Sequence, residues 1–370
     1  MTDIHIDKKN WKKCRFDEVC RQVNEATKDP AAEGLDHVIG LEHIEPNNLH
    51  ITQWDTLEKE TTFTRKFKKG QVLFGRRRAY QRKVAYAEFD GICSGDILVF
   101  EAIENVMVPE LLPFLIQSDG FFQKALETSA GSLSPRTKFK ELADYEFLLP
   151  PKPEQKRLAA LLWSADEMIE KEKRELEKME KLMDIDIAEA LGNCKDGQYE
   201  YSDQQLIEIN KVIIKEKFEV GKLDTEQYHL QGKYPIIDQS KTPIAGYSDY
   251  DEIVFNGNLP VLVFGDHTTI VKYIDFPFIL GADGTKIIQA NENKVLSKYL
   301  FYAIKNLHIV PQGYRRHFSV LKEHKIPLLP KEIQAELVTR WDKLEKLTSQ
   351  DRQQIEVSQQ TKQELINKVF

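Results

Sequence analysis

The sequence predicts an α+β protein in which two similar globules alternate with two long helices. Three observations carry this: a Gly- and Pro-free stretch of ~37 residues with a heptad seam, a second such stretch at the C-terminus, and one motif order that returns ~180 residues later. The divisions fall at 1–147, 148–192, 193–327 and 328–370.

The first long stretch opens with Leu148-Leu149-Pro150-Pro151-Lys152-Pro153-Glu154-Gln155. The prolines hold the chain extended, and Pro153 then suits the first turn of a helix, with Glu154 near its positive end. Leu162, Ile169, Leu176, Met183 and Ala190 share one heptad position, and Leu158, Ala165, Glu172, Met179 and Asp186 the other. The seam is narrow and fits one partner helix. Gly192 and Asn193 end it. The C-terminal stretch opens with Leu328-Leu329-Pro330-Lys331-Glu332-Ile333-Gln334. Leu337, Leu344 and Leu365 share one position there, and Trp341, Ile355 and Val369 the other, with Asp351 and Ser358 weakening the middle. Leu161, Trp163 and Met168 lie beside the first seam, and Leu347 and Ile366 beside the second, which predicts a further apolar face for a protein partner.

The composition bounds the function. With 370 residues, 41% hydrophobic and 30% charged, the chain has enough apolar material for two cores. No run approaches a membrane span, and the start does not read as a signal peptide. Cys14, Cys20, Cys93 and Cys194 lack paired spacing, as expected of reduced cytoplasmic thiols. The net charge of −7 argues weakly against nucleic acid, because local distribution matters more than the sum.

One window departs from that acidic balance. Between Arg65 and Lys83 stand nine cations (Arg65, Lys66, Lys68, Lys69, Arg76, Arg77, Arg78, Arg82, Lys83) and no acid. Gln71 to Phe74 reads as a buried strand ending at Gly75, so the later cations gather on a loop with Tyr80 and Gln81, a composition suited to phosphate contact and base-edge readout. The competing reading is a solvated loop facing the carboxylates of residues 88–119. Gly131 to Lys138 forms a second cationic loop with Arg136 and Lys138. In the second globule, Val263-Phe264-Gly265-Asp266 repeats Leu73-Phe74-Gly75-Arg76, Val271-Lys272-Tyr273 repeats Val84-Ala85-Tyr86, and Gly313 to Phe318 stands where Gly131 to Phe139 stood. His37, His43 and His50 lack ligand spacing and read as surface or satisfied histidines.

No ATP loop, dinucleotide fingerprint or Ser-His-Asp signature is present, nor the Asn/Asp-Pro-Pro-aromatic run of amino-methyltransferases. Asp283, Glu292 and Lys294 form a nuclease-like pattern of low specificity. A stand-alone metal-dependent nuclease on those residues, or a coiled-coil scaffold with protein- or carbohydrate-binding globules, are the rival readings.

The two-fold repeat, the prolines before Glu154-Gln155, the stretch Phe67 to Arg76, and Gly246-Tyr247 followed by Val263 to Asp266 together resemble the specificity subunit of type I restriction-modification systems. The resemblance covers nearly the whole chain. It implies two target-recognition domains that each read half of a split sequence in double-stranded DNA. It also implies that the long helices pair antiparallel and dock two methyltransferase subunits, to which restriction subunits join. S-adenosylmethionine, ATP and magnesium would belong to those partners, leaving this chain non-catalytic and without a cofactor. On that reading the DNA-facing residues are Arg76, Arg77 and Arg78 (phosphate or guanine), Tyr80, Gln81 (adenine), Arg82, Lys83, Arg136 and Lys138. In the second globule they are Asp266, His267, Thr268, Tyr314, Arg315 and Arg316. Leu161, Trp163, Met168 and Leu347 would face the methyltransferase. The second helix start departs from the first, with Lys331-Glu332-Ile333-Gln334 where the first has Pro153-Glu154-Gln155, and the second globule has no run like Arg76 to Arg78.

Overall fold

A computed structural model describes the chain except residues 1–5, 132–133, 193, 196–197, 200–205, 216–217, 219, 256, 282–283, 312 and 314–315. It forms two compact units, Met1–Lys173 with Gln353–Phe370, and Arg174–Arg352. Each contains one globule and a part of each of two long helices, Lys152–Leu191 and Lys331–Val369.

In the first unit, an antiparallel sheet has the order Cys20–Val23, Ile97–Ala102, Val72–Gly75, Val84–Tyr86. A second sheet joins His37–Ile39 in parallel, and Arg65–Phe67 antiparallel, to Gly91–Cys93. Helices Leu112–Gln117 and Asp119–Glu127 supply the opposite wall. Phe16, Phe74, Phe100, Phe121 and Phe122 meet between them, Phe16 edge-on to Phe100 at 5.4 Å. Lys12–Arg15 pairs with Glu146–Leu149, which brings both ends of the globule to the start of the central helix. Leu158 and Leu162 of that helix join the same core as Leu365, Ile366 and Val369 of the C-terminal helix. Each such side chain contributes roughly 1.5–3 kcal/mol when fully buried. Asp166 bonds Lys362, so rising numbers on one helix meet falling numbers on the other: the two run antiparallel.

The second unit repeats the plan. Leu206–Glu208 pairs with Lys325–Pro327. One sheet has the order Val271–Ile274, Val261–Gly265, Thr285–Ile288. A five-stranded sheet is built around Phe278–Gly281. Helix Ser297–Asn306 buries Tyr299 and Tyr302 against Trp341 of the C-terminal helix, which shares its core with Met183, Ile187 and Leu191 of the central helix. Trp341 Nε1 donates to Asp186 at 2.8 Å, and Arg352 donates to Glu180. The antiparallel sense recurs.

The repeat holds at the level of register. Phe74 pairs with Val84 and Leu98, and Phe264 pairs with Val271 and Lys286. The clearest repeated detail is a glutamine clamp at each helix start. Gln155 Oε1 accepts from Val108 N at 2.8 Å, while its amide donates to Val106 O at 3.1 Å and Pro150 O at 2.9 Å. Gln334 Oε1 accepts from Leu296 N at 2.9 Å, and its amide donates to Lys294 O at 3.3 Å and Leu329 O at 2.8 Å. Lys152 and Lys331 bond the carbonyls of Glu104 and Glu292 in the same way. The expected departure of the second helix start is therefore confined to its missing proline; the helix begins at Lys331 and its glutamine does the same work.

Two details of the seams differ from expectation. Ile187, outside the heptad read from sequence, is buried, and Asp186 is drawn toward Trp341. Ile366, expected beside the seam on a free face, is fully buried in the first unit's core.

Candidate nucleic-acid interface

The two cationic loops of the first globule lie together. Gly75 N donates to Lys83 O at 2.9 Å and closes a hairpin loop over residues 76–82. Arg76 O accepts from Thr137 N at 3.1 Å, and Arg78 N donates to Pro135 O at 2.9 Å, so the loop is stitched to the segment carrying Arg136. Register places Ile97 opposite Gly75, which brings Asp96 beneath both. Asp96 accepts from Arg136 Nε at 2.7 Å and Arg77 Nη1 at 3.5 Å, and Arg77 also donates to Ser134 Oγ at 2.9 Å. The Arg136 guanidinium is the main reason the Asp96 carboxyl lies below its ordinary range, with burial opposing it.

Several of the expected DNA contacts are thus engaged inside the protein. Arg77 and Arg136 form the frame around Asp96. Arg82 bonds Asn47 and the Gln117 carbonyl, reaches Asp119 at 2.8 Å and stacks on Phe122 at 4.4 Å. Lys83 donates to Leu41 O at 2.6 Å. Asp96 and Asp119 belong to the 88–119 carboxylates, so Arg77 and Arg82 have the acidic partners that the competing reading of the window supposes. Arg76 is half-buried with Nε unpartnered; burial, then neighbouring Arg65, lowers its pKa.

Arg78 differs. It is exposed, and its backbone is left-handed (φ 55°); the half-buried Arg82 is left-handed too (φ 52°), and the two bracket the single turn Ala79–Gln81. A non-glycine residue there costs about 1–2 kcal/mol, and such strain clusters where a side chain must be presented. Tyr80 is 58% exposed beside it, Gln81 is half-buried, and Lys138 is exposed.

In the second globule the hairpin is shorter. Gly265 N donates to Ile270 O at 2.8 Å, and the loop covers residues 266–269, with Thr269 left-handed (φ 60°). Asp266 O accepts from His317 N at 3.0 Å, the counterpart of the Arg76–Thr137 bond. The Asp266 carboxylate, expected at DNA, is 3% exposed and accepts from Phe318 N at 2.7 Å, so it caps helix Phe318–Glu323. Thr268 Oγ1 donates to Gln239 O at 2.8 Å. His267 is half-buried with Nδ1 unpartnered, and Arg316 is exposed. Tyr314 and Arg315 lie outside the described residues.

Of the nuclease-like residues, the two that the structure describes are engaged with protein groups. Glu292 accepts from Ser297 N at 2.9 Å and from its hydroxyl, and Lys294 donates to Lys211 O at 3.0 Å; both are held in the turn before a helix, and Asp283 lies outside the described residues. His50, read as a surface or satisfied histidine, faces Asp166 at 2.8 Å, a partnership no local spacing signals. Beside the seams, Leu161, Met168 and Leu347 are exposed, at 38%, 54% and 40%. Trp163 is not free: its ring lies 5.1 Å from both Tyr86 and Phe114, and Nε1 donates to Glu110 O at 2.8 Å.

A protein-family model described as "Type I restriction modification DNA specificity domain" matches residues 8–181 and again 205–357. The chain belongs to this family. The double match coincides with the internal repeat seen in register and clamps. Among curated proteins, it is 29% identical over 137 residues to the specificity subunit of the type I restriction enzyme EcoR124I/EcoR124II from Escherichia coli, covering 34% of each chain. It is 26% identical over 211 residues to the EcoDI specificity subunit from the same species, covering 54% of this chain and 45% of that one. The matched regions thus span less than half the length of these relatives. Among solved structures, the type I S subunit from M. genitalium shares the fold, with a TM-score of 0.60, 16% identity, and coverage of 98% of this chain and 96% of the other. A chain from a type I system described for its complex assembly and conformational transition has a TM-score of 0.54, 17% identity, and 97% coverage of both chains.

Proposed function

We propose that this chain is the non-catalytic DNA-recognition subunit of a type I restriction-modification complex. The observation that carries the reading is the family match made twice, once on each globule and its helix. Each globule serves as a target-recognition domain for half of a split sequence in double-stranded DNA. The helices dock two methyltransferase subunits, restriction subunits join that core in the cytoplasm, and S-adenosylmethionine, ATP and magnesium stay with those partners. In the first domain Arg78, Tyr80, Gln81 and Lys138 face DNA, while Arg77, Arg136, Arg82 and Lys83 shape and hold the loop. In the second, His267, Thr268 and Arg316 face DNA and Asp266 is structural. Leu161, Met168 and Leu347 face the methyltransferase, and Trp163 fixes the first globule to its helix.

The test is methylome sequencing of cells that express the chain with an adenine methyltransferase that copurifies with it. A bipartite methylated motif, absent without the chain, is expected. A stable complex that leaves the methylome unchanged would refute the reading, and so would methyl transfer or DNA cleavage by the pure chain alone.

A further inference from the structure

The seam in the first unit carries a lysine where a coiled coil ordinarily places an apolar residue. Lys362 is 7% exposed, and its ammonium lies 2.6 Å from Asp166 Oδ1, on a residue only 2% exposed. Asp166 Oδ2 faces His50 Nε2 at 2.8 Å, and His50 Nδ1 faces Glu88 at 3.2 Å. The central helix, the C-terminal helix and the first globule therefore meet at one carboxylate. Two charges taken out of water are a poor route to stability, and an apolar pair of similar volume often does as well. The best-attested use of such a pair is to choose a partner or a register.

The repeat identifies the alternative being excluded. Counted from the glutamine clamps, Asp166 stands at the step of Glu345, and Lys362 at the step of Met183. Glu345 also holds its globule, accepting from the Tyr302 hydroxyl at 2.9 Å. In an antiparallel pair made from the central helices of two copies, Asp166 would meet Met183 where it now meets Lys362. Much of the apolar seam would survive the exchange, since Ile187 stands at the step of Ile366 and Ala190 at that of Val369. The cation would not.

We propose that Asp166 and Lys362, with His50, form a partner-selection lock: it admits the chain's own C-terminal helix beside the first globule and rejects the central helix of a second copy of this chain. In the rejected pairing each copy buries a carboxylate without its cation, which weakens self-association by roughly a hundredfold or more.

Sedimentation of the full chain over a range of concentrations tests this with two double variants. Lys362→Met with Met183→Lys moves the cation onto the central helix and is expected to dimerise at least ~100-fold more tightly than wild type. Asp166→Leu with Lys362→Met removes the discrimination while keeping the seam filled; it is expected to remain folded and to dimerise more tightly than wild type. A folded cation-moving variant with the wild-type dimerisation constant overturns the proposal. Should that variant fail to fold, an unchanged constant in the apolar variant overturns it equally.

Discussion

The two hairpin loops grow from the same register of the same sheet and end up differently. In the first globule the loop covers residues 76–82, lies against the Arg136 segment, and organises its charges around Asp96. In the second it covers 266–269, and the residue in place of Arg76 is the buried Asp266, which caps a helix. The strands beneath are fixed by ladder bonds and by ring packing in the first globule, so they repeat. The loop chemistry is free of those constraints. Loop length and charge can therefore change from one globule to the other while the fold stays constant.

The comparison can be broken most strongly at the tryptophans. Trp341 is fully buried and bonded to Asp186, whereas Trp163 is half-buried on the first globule. Trp341→Ala should cost about 3–5 kcal/mol and Trp163→Ala distinctly less, roughly 1–3 kcal/mol, as read by urea unfolding. Equal costs would mean that the units grip their helices alike.

The loops come next. Arg78→Ala should weaken DNA binding by the assembled complex by about 1–3 kcal/mol if it reads a base, or flatten the salt slope by about 0.9 if it holds a phosphate. Arg77→Ala should instead lower the unfolding midpoint, since it removes part of the frame around Asp96. A variant at Arg78 with unchanged affinity and unchanged slope would place that residue away from DNA.

A pH difference should also separate the units. The Asp166 hydrogen bond is the main cause holding the His50 pKa above its usual 6.5, against the effect of burial. The stability from His50 is therefore fully present below about 6.5 and lost as pH rises through the raised value. Burial opposes ionisation of Asp166, but His50 and Lys362 outweigh it and hold its pKa low, so its contribution is lost only as pH falls through that lowered value. The corresponding contact in the second unit uses Tyr302, whose pKa is raised by burial and then by Glu345, and which keeps its proton through that range. The gap in unfolding midpoint between wild type and His50→Gln should close as pH rises through the raised His50 value, whereas that of Tyr302→Phe should stay level between about pH 6 and 9.

The smallest effects on stability are expected at exposed helix positions. Met168→Ser in the first unit and Leu347→Ser in the second should each change stability by no more than about 0.5 kcal/mol, yet reduce methyltransferase recovery on size exclusion. Undiminished recovery from both variants would remove these positions from the docking face.

The helices and the repeat were legible because both depend on local pattern: a long run without Gly or Pro, a heptad, and turn residues in a fixed order. The fate of the cations was not. Arg77 meets Asp96 only because Ile97 pairs with Gly75, and Lys362 meets Asp166 only because the helices run antiparallel; neither pairing leaves a signal in nearby residues. The burial of Asp266 was hidden for the same reason, since it follows from a segment some fifty residues later. The glutamines were visible, but the proline missing before Gln334 made the second start look like a departure, although Gln334 bonds the same kinds of groups as Gln155.

Those glutamine clamps have a further consequence. Every bond made by the Gln155 and Gln334 side chains goes to a main-chain amide or carbonyl, at Val106, Val108 and Pro150 in one case and at Lys294, Leu296 and Leu329 in the other. The joint inspects the path of the neighbouring chain and not the identity of its residues. A globule can drift in sequence, or be exchanged whole for a foreign one that enters and leaves at the same points, without loosening its attachment. The joint thus holds each globule by the path of its main chain alone, so the rest of a globule's side chains can vary without changing the bonds that anchor it.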